Sequence, residues 1–301
     1  MPATMRSTSV TTAFLCAGFV VLVVLSVLPS SAETTGLPFL RLGSNARVSA
    51  LGEAGTALLD GQAFATNPAA LDPEATRVLG VTHSEWIRQI RHEYVNAAWN
   101  RPAGAIGLAV LVSHADELER RVQPSVNPLG TFGVSEWAAG LTANRELSSR
   151  LRAGATIKFV RQSLFTENAA GGAADVGFIY RAGSSWLLGA AMNNLGSLSR
   201  LDREGTDLPL QFKAGSVMTR SQWLLTTDAQ WARRSGTSLH LGMEWTPNPG
   251  FALRTGYQTS DTRHFSFGTG MASGGWHLDY TFIPFRDDLG EAHRLSLHRR
   301  G

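Results

Sequence analysis

The stretch Trp276-His277-Leu278-Asp279-Tyr280-Thr281-Phe282 alternates large apolar side chains with polar ones. Successive side chains of an extended strand point to opposite sides, so Trp276, Leu278, Tyr280 and Phe282 share one face and His277, Asp279 and Thr281 the other. The same two-residue period runs through 239–245, 251–258 and 151–159, while helical periodicity is weak after residue 76. Working outward from these segments gives about fourteen strands, bounded by Gly, Pro and Ser clusters. They are expected at 76–85, 91–100, 103–113, 134–144, 150–161, 173–181, 184–193, 210–219, 221–231, 236–246, 250–259, 262–272, 274–284 and 292–300. Most have the length a tilted strand needs to cross a bilayer, and an even count suits a closed bacterial barrel.

Alternation alone does not say whether the apolar face meets a protein core or lipid. In a soluble β-sandwich it turns inward; in a membrane barrel it turns outward and the polar face lines the lumen. Three further features bear on the choice. The links after even-numbered strands are short: Arg101-Pro102, Glu146–Arg150, Ala182-Gly183, Arg220, Thr246–Pro249 and Ser273. The links 114–133, 162–172, 194–209 and 285–291, after odd-numbered strands, are long, which is the asymmetry of an outer-membrane barrel. The eight Trp fall near strand ends, with Trp99, Trp186, Trp223, Trp245 and Trp276 toward the short turns and Trp86, Trp137 and Trp231 toward the long loops. Two such girdles are what the headgroup regions select. Finally, Arg152, Lys158, Asp175, Lys213, Asp228, Glu244, Arg254 and Asp279 share the polar parity and are expected to face the lumen. These features together favour an all-β fold: a transmembrane antiparallel barrel.

Residues 1–32 read as a secretory signal peptide. Arg6 supplies the basic start, Ala13 to Leu28 the apolar core, and Ser30-Ser31-Ala32 the small residues before a cleavage site. An uncleaved anchor helix is the alternative, although an apolar run of about 16 residues is short for a span. Cys16 lies inside that core, so residues 33–301 carry no cysteine, which excludes thiol catalysis and cysteine metal sites there. The formal net charge of +3 is scattered rather than gathered into a basic stripe, so nucleic acid is not an expected partner.

Residues 33–75, dense in Gly and Ala, precede the first strand and are the natural plug of a lumen this wide; the barrel then occupies 76–301. Small residues let backbone pack closely on lumen side chains. Asn67-Pro68-Ala69 has an N-cap residue followed by Pro at the first helical position, where its missing N–H costs nothing, and Asp72-Pro73-Glu74 can begin a second turn in the same way. Glu53, Arg47 and Asp60 are candidates to pair with lumen charges.

With these residues in view, the sequence resembles the PorV/PorQ family of FadL-like outer-membrane barrels. The resemblance lies in Leu42-Gly43-Ser44-Asn45-Ala46-Arg47, then Leu51-Gly52-Glu53-Ala54-Gly55-Thr56-Ala57-Leu58-Leu59-Asp60, then Asn67-Pro68-Ala69-Ala70-Leu71. Later pieces are Asn193-Asn194-Leu195-Gly196, Leu208-Pro209 with Phe212-Lys213-Ala214-Gly215, 253–257 and 278–282. Glu53 interrupts the family's glycine pair, Ala70 stands where Gly is usual, and the chain does not end in an aromatic residue. The resemblance implies two activities. FadL-like members pass hydrophobic small molecules across the outer membrane; PorV-like members are accessory or shuttle components of type IX protein secretion. It implies outer-membrane lipid, the barrel-assembly machinery, and a hydrophobic ligand or secretion-system proteins as partners.

An enzyme is the remote alternative. Outer-membrane lipases use Ser, His and a carboxylate or amide. His83-Ser84-Glu85 is the dense cluster of those types, but neighbours in a strand point to opposite faces. His240, His264 and His277 read as hydrogen-bonded filler of the lumen. No phosphate-binding loop, zinc-type His pair or nucleophile elbow is present in the sequence, so neither a cofactor nor a metal is expected.

Overall fold

The alternating segments close on themselves. The computed structural model describes residues 37–43, 45–61, 66–71, 75–102, 104–121, 128–199, 207–260 and 262–301. Fourteen antiparallel strands form one closed sheet: β1 (Arg77–Glu85), β2 (Arg91–Arg101), β3 (Gly104–Arg120), β4 (Gly130–Glu146), β5 (Leu151–Leu164), β6 (Glu167–Arg181), β7 (Trp186–Leu198), β8 (Gln211–Arg220), β9 (Trp223–Ala232), β10 (Gly236–Asn248), β11 (Phe251–Gln258), β12 (Phe265–Ser273), β13 (Trp276–Pro284) and β14 (Glu291–Arg300). Each strand pairs with its sequence neighbours, and β1 closes on β14 through a register that runs from Val78↔Arg300 to Glu85↔His293. Closure leaves no edge with unpaired backbone groups, the condition for a sheet to stand in hydrocarbon.

The apolar parity faces out. Ile157 is 65% exposed, Leu241 50% and Leu295 47%, whereas their neighbours Thr156, His240 and Arg294 are buried. Residues this apolar and this exposed form a band around the whole sheet, which lipid covers. Trp99, Trp186, Trp223 and Trp276 rim the short-turn end, and Trp223 stacks on Trp245 at 5.9 Å. Trp137 against Phe159 and Trp231 against Phe212 mark the opposite level. Trp223 and Trp231 both point outward from β9; at ~3.4 Å per residue and a ~40° tilt they stand about 20 Å apart in height, close to the ~25 Å apolar band of such barrels.

Two expectations are corrected. The supposed long links 114–133 and 162–172 are largely strand. β3 and β4 pair out to Arg120↔Gly130, and β5 and β6 meet in the two-residue turn Phe165-Thr166. The segment Ala169 to Ala174 holds only Ala and Gly, so a hydrophobic alternation has nothing to register, yet its backbone still completes the ladder. These strands rise past the Trp137–Phe159 level, and above it the outward positions become polar, with Arg161 hydrogen-bonded to Asn168 at 3.4 Å. The second correction is Trp86, which does not join the outer girdle. β1 has ended before it, so strand parity no longer applies. The ring lies against the Arg263 guanidinium, 4.7 Å from its centroid, and edge-on to Phe285 at 5.2 Å.

Inside the sheet lie 3-10 turns at Pro38–Arg41 and Pro68–Ala70 and one short helix, α1 (Ala46–Ala50). Asn45 caps α1, its side-chain oxygen accepting from Val48 N at 2.9 Å. Leu37, Val48, Leu51, Thr56, Asn67 and Leu71 are fully buried. The expected signal segment 1–32 and the Asp72-Pro73-Glu74 turn lie outside the described residues.

Candidate functional site

The site is the seam between the N-terminal segment and the inner wall. Steric fit comes first. Gly154, Gly177, Gly189, Gly242, Gly256 and Gly268 stand on inward positions of β5, β6, β7, β10, β11 and β12, and each has N-terminal residues where a Cβ would be. A Cβ on Gly242 would lie 2.6 Å from the Leu51 carbonyl, and one on Gly154 2.5 Å from Pro68. These glycines let two backbones approach where ordinary side chains would separate them.

Polar wall residues then satisfy the backbone of the inserted segment, as any buried backbone requires. Ala46 N donates to Ser296 Oγ at 2.8 Å, and Thr281 Oγ1 donates to the Ala46 carbonyl. Ser266 accepts from Gly52 N at 3.2 Å and donates to the Ala50 carbonyl at 3.1 Å. His240 Nδ1 donates to the Gly52 carbonyl at 2.6 Å, Asn144 to the Ala69 carbonyl at 3.4 Å, and Asn96 to the Gly61 carbonyl at 3.2 Å. His240 is thus the hydrogen-bonded filler expected of it; His264 meets the Gln258 carbonyl at 3.1 Å, and His277 stacks on His298 at 4.6 Å.

The eight charges expected in the lumen all sit on inward positions, and several are brought together. Arg47 of α1 reaches Glu244 through Nε at 2.8 Å and Nη2 at 2.7 Å, and Asp60 through Nη1 at 2.9 Å. Glu244 also meets Arg254 at 2.5 Å, and Arg254 meets Asp279 at 2.6 Å. Burial by itself lowers the Arg47 pKa, but Glu244 and Asp60 more than offset this and hold it well above the usual arginine value. Lys158 pairs with Asp175 at 2.6 Å and Asn194 Oδ1 at 2.9 Å. Asp228 accepts from Thr56 N at 3.0 Å and Thr56 Oγ1 at 2.6 Å. Arg152 donates to the Leu71 carbonyl at 2.9 Å and pairs with Glu146 at 2.7 Å. Among the described residues Lys213 makes no ion pair within 4 Å.

Asn67, Pro68 and Ala69 wedge against β5 and β6. Asn67 Oδ1 accepts from Ala69 N at 3.0 Å, and its Nδ2 donates to the Thr56 carbonyl at 2.6 Å and the Phe178 carbonyl at 3.3 Å. The cap therefore also ties two parts of the plug to the wall. Glu53 explains itself sterically: it adopts φ 65°, where glycine is unstrained, and its carboxylate accepts from Ser49 at 3.0 Å with Arg263 at 4.0 Å. Sequence reading missed Arg294, which donates to Ser84, Ser49 and the Gly43 carbonyl, because its strand reads as a plain alternation of polar and apolar residues. It separated His83 from Ser84 correctly: His83 faces out to Glu93 at 2.6 Å, and Ser84 faces in.

Cavities flank the plug at both ends. One of about 660 Å³ opens at the long-loop end, with Pro38, Phe39 and Leu42 on its floor and Trp86, Leu118 and Val134 among its walls. A second of about 180 Å³ lies at the short-turn end by Glu244, Ala272 and His298. A third of about 420 Å³ lies at the same end by Leu71, Gly104, Asn144 and Arg152.

No protein-family model matches this sequence, and no curated protein matches it. Solved structures do. The crystal structure of the Pseudomonas putida toluene transporter TodX superposes with a TM-score of 0.63 at 14% identity, covering 85% of this chain and 96% of that one. A Pseudomonas aeruginosa FadL homologue superposes at 0.62 and 11% identity, covering 90% and 100%. At such identities the likeness is one of fold: this chain shares with those outer-membrane proteins a 14-strand antiparallel β-barrel, here with a short helix before the first strand.

Proposed function

We propose that this protein is an outer-membrane channel of the PorV/PorQ type that admits hydrophobic small molecules, with residues 33–75 as its plug and residues 1–32 as a cleaved signal. The observation that carries this reading is the 660 Å³ cavity at the long-loop end, whose floor is the N-terminal segment itself. A vestibule of mixed polar and apolar lining, with Pro38, Phe39 and Leu42 on a separable floor, is an arrangement that suits a gated passage. The TodX and FadL-homologue folds support it, the former being named a toluene transporter. A folded lumen packed with paired charges of both signs does not suit a general ion pore.

Cells with an intact outer membrane, with and without the protein, test the reading. Uptake of the apolar fluorophore N-phenyl-1-naphthylamine is expected to be faster with it; equal uptake overturns the channel. The raised wall of β3–β6 favours a second reading, an accessory of type IX secretion, because a rim above the membrane offers a docking surface. Co-purification of secretion components from native outer membranes supports that reading. Ser266, Ser296, His240 and Glu244 of the wall hold the plug, and no chemical step is proposed.

A further inference from the structure

The inner wall is divided by charge. All eight charges singled out from the sequence lie on β5–β13. On β2–β4, the inward residues between the His92–Ser113–Glu136 row and the Asn100–Ala105–Asn144 row carry none: the rows are Tyr94–Leu111–Ala138, Asn96–Ala109–Gly140 and Ala98–Gly107–Thr142. They are also mostly small. The cavities follow this strip. The 660 Å³ vestibule reaches Ser113, Val134 and Glu136 at its upper end. A cavity of about 50 Å³ follows, lined by Tyr94, Ala109, Leu111, Ala138 and Thr142, with Lys158 of β5 at its edge and Leu42 shared between the two. The 420 Å³ cavity at the short-turn end resumes at Asn144 and Gly104. Between the last two, among the described residues, stands Leu71. It is 1% exposed, clusters with Val78, Ala98 and Ala105, and rests 3.3 Å from where a Cβ of Gly107 would be.

The rest of the plug is held differently. α1 and Leu51–Gly52 are fastened to β10–β14 by the Arg47 ion pairs and the Ser266, Thr281, Ser296 and His240 hydrogen bonds. Moving that part breaks buried charge pairs, whose loss leaves uncompensated charge. Beside the β2–β4 strip, by contrast, the Leu71 side chain meets apolar and small groups, so turning the side chain aside breaks dispersion contacts and leaves the Arg152 bond to its carbonyl in place.

We infer that hydrophobic solutes travel along the uncharged face of β2–β4, passing Leu42 and then Leu71, and that Leu71 is the constriction that closes this track toward the short-turn end while α1 stays fixed. This rests on the channel reading above and adds the route and its gate. Along these wall rows an uncharged solute meets no charge, and Lys158 at the edge of the middle cavity is already paired with Asp175, whereas the β9–β13 side carries the Glu244–Arg254–Asp279 chain across its face. The track also favours narrow solutes, since its middle cavity holds about 50 Å³ until Leu42 or Leu71 turns aside.

The test measures N-phenyl-1-naphthylamine uptake in cells carrying full-length variants at matched outer-membrane levels. Leu71→Ala is expected to raise uptake several-fold. Ala109→Phe, which narrows the strip from the wall side, is expected to lower it several-fold. Ala272→Phe, which fills the 180 Å³ cavity on the other side, is expected to leave it unchanged. Ion conductance of Leu71→Ala in planar bilayers is expected to match the wild type, because α1 remains seated. If wild-type uptake is present but Ala109→Phe leaves it intact, or Ala272→Phe lowers it equally, the route is overturned and the channel stands. If Leu71→Ala becomes ion-conducting, Leu71 holds the whole plug and is not a local gate. If the wild type takes up no more than cells without the protein, the channel reading fails and the route falls with it.

Discussion

At the scale of the residue, Arg47 decides how the plug is seated. It stands in a buried chain of alternating charge, Asp60–Arg47–Glu244–Arg254–Asp279, and links the plug carboxylate Asp60 to the wall carboxylate Glu244. Replacing it with Met removes the cation that both Asp60 and Glu244 face; breaking one member of a buried pair costs about 3–5 kcal/mol. The expected result is a folded barrel with a loosened plug, read as increased ion conductance in a planar bilayer. Unchanged conductance would show that the hydrogen bonds of α1 suffice. Gly256 tests the steric half of the same argument. A side chain there meets Leu51 and Gly52 backbone, so Gly256→Val is expected to cost about 1–3 kcal/mol through overpacking, measured as a lower unfolding midpoint. Gly183→Ala, whose Cβ meets nothing within 4 Å, is expected to leave the midpoint where it was.

At the scale of the element, the plug and the wall depend on each other unequally. The wall's hydrogen bonds are strand to strand and need no plug. The plug has two short 3-10 turns and a five-residue helix, too little local structure to stand by itself. Deleting residues 34–75 is therefore expected to give a barrel that still inserts but conducts ions freely. A deletion variant no more conductive than the full-length protein would mean that loops or wall side chains occlude the lumen. Asn67→Ala is the milder form. It removes the cap on Ala69 N and the bonds to Thr56 and Phe178, a loss of about 1 kcal/mol for the cap itself, and is expected to raise conductance fluctuations without a steady open level.

At the scale of the whole molecule, stability depends on lipid. The outer face of β10 carries Leu239, Leu241 and Met243, all exposed, and its inner face His240, Gly242 and Glu244, all facing the lumen. Leu241→Arg places a charge in the apolar band and is expected to destabilise the barrel by about 2–4 kcal/mol in lipid. Equal stability of the variant and the wild type by denaturant titration in vesicles would move the band elsewhere. The native protein is further expected to fractionate with outer membranes and to run faster on gels before heating than after, since the closed sheet resists detergent.

Much of this was legible in the residues. A two-residue period of the kind seen at 276–282 needs only local geometry to interpret, so strand number and strand parity followed from the sequence alone. The Asn67-Pro68 turn was local in the same way, because a cap and its Pro are neighbours in the chain, but its place against β5 and β6 was not. The levels of the strands in the membrane did not: Ala169–Ala174 carries no alternation, and only pairing with β5 makes it a strand. Nor did the partners of each charge. Arg47 and Glu244 are 197 residues apart, and which wall glycine receives which turn of the plug is set by closure of β1 on β14. Local periodicity is written in the order of side chains. Contacts across a lumen arise only once the sheet has closed and its shear has set which rows face one another.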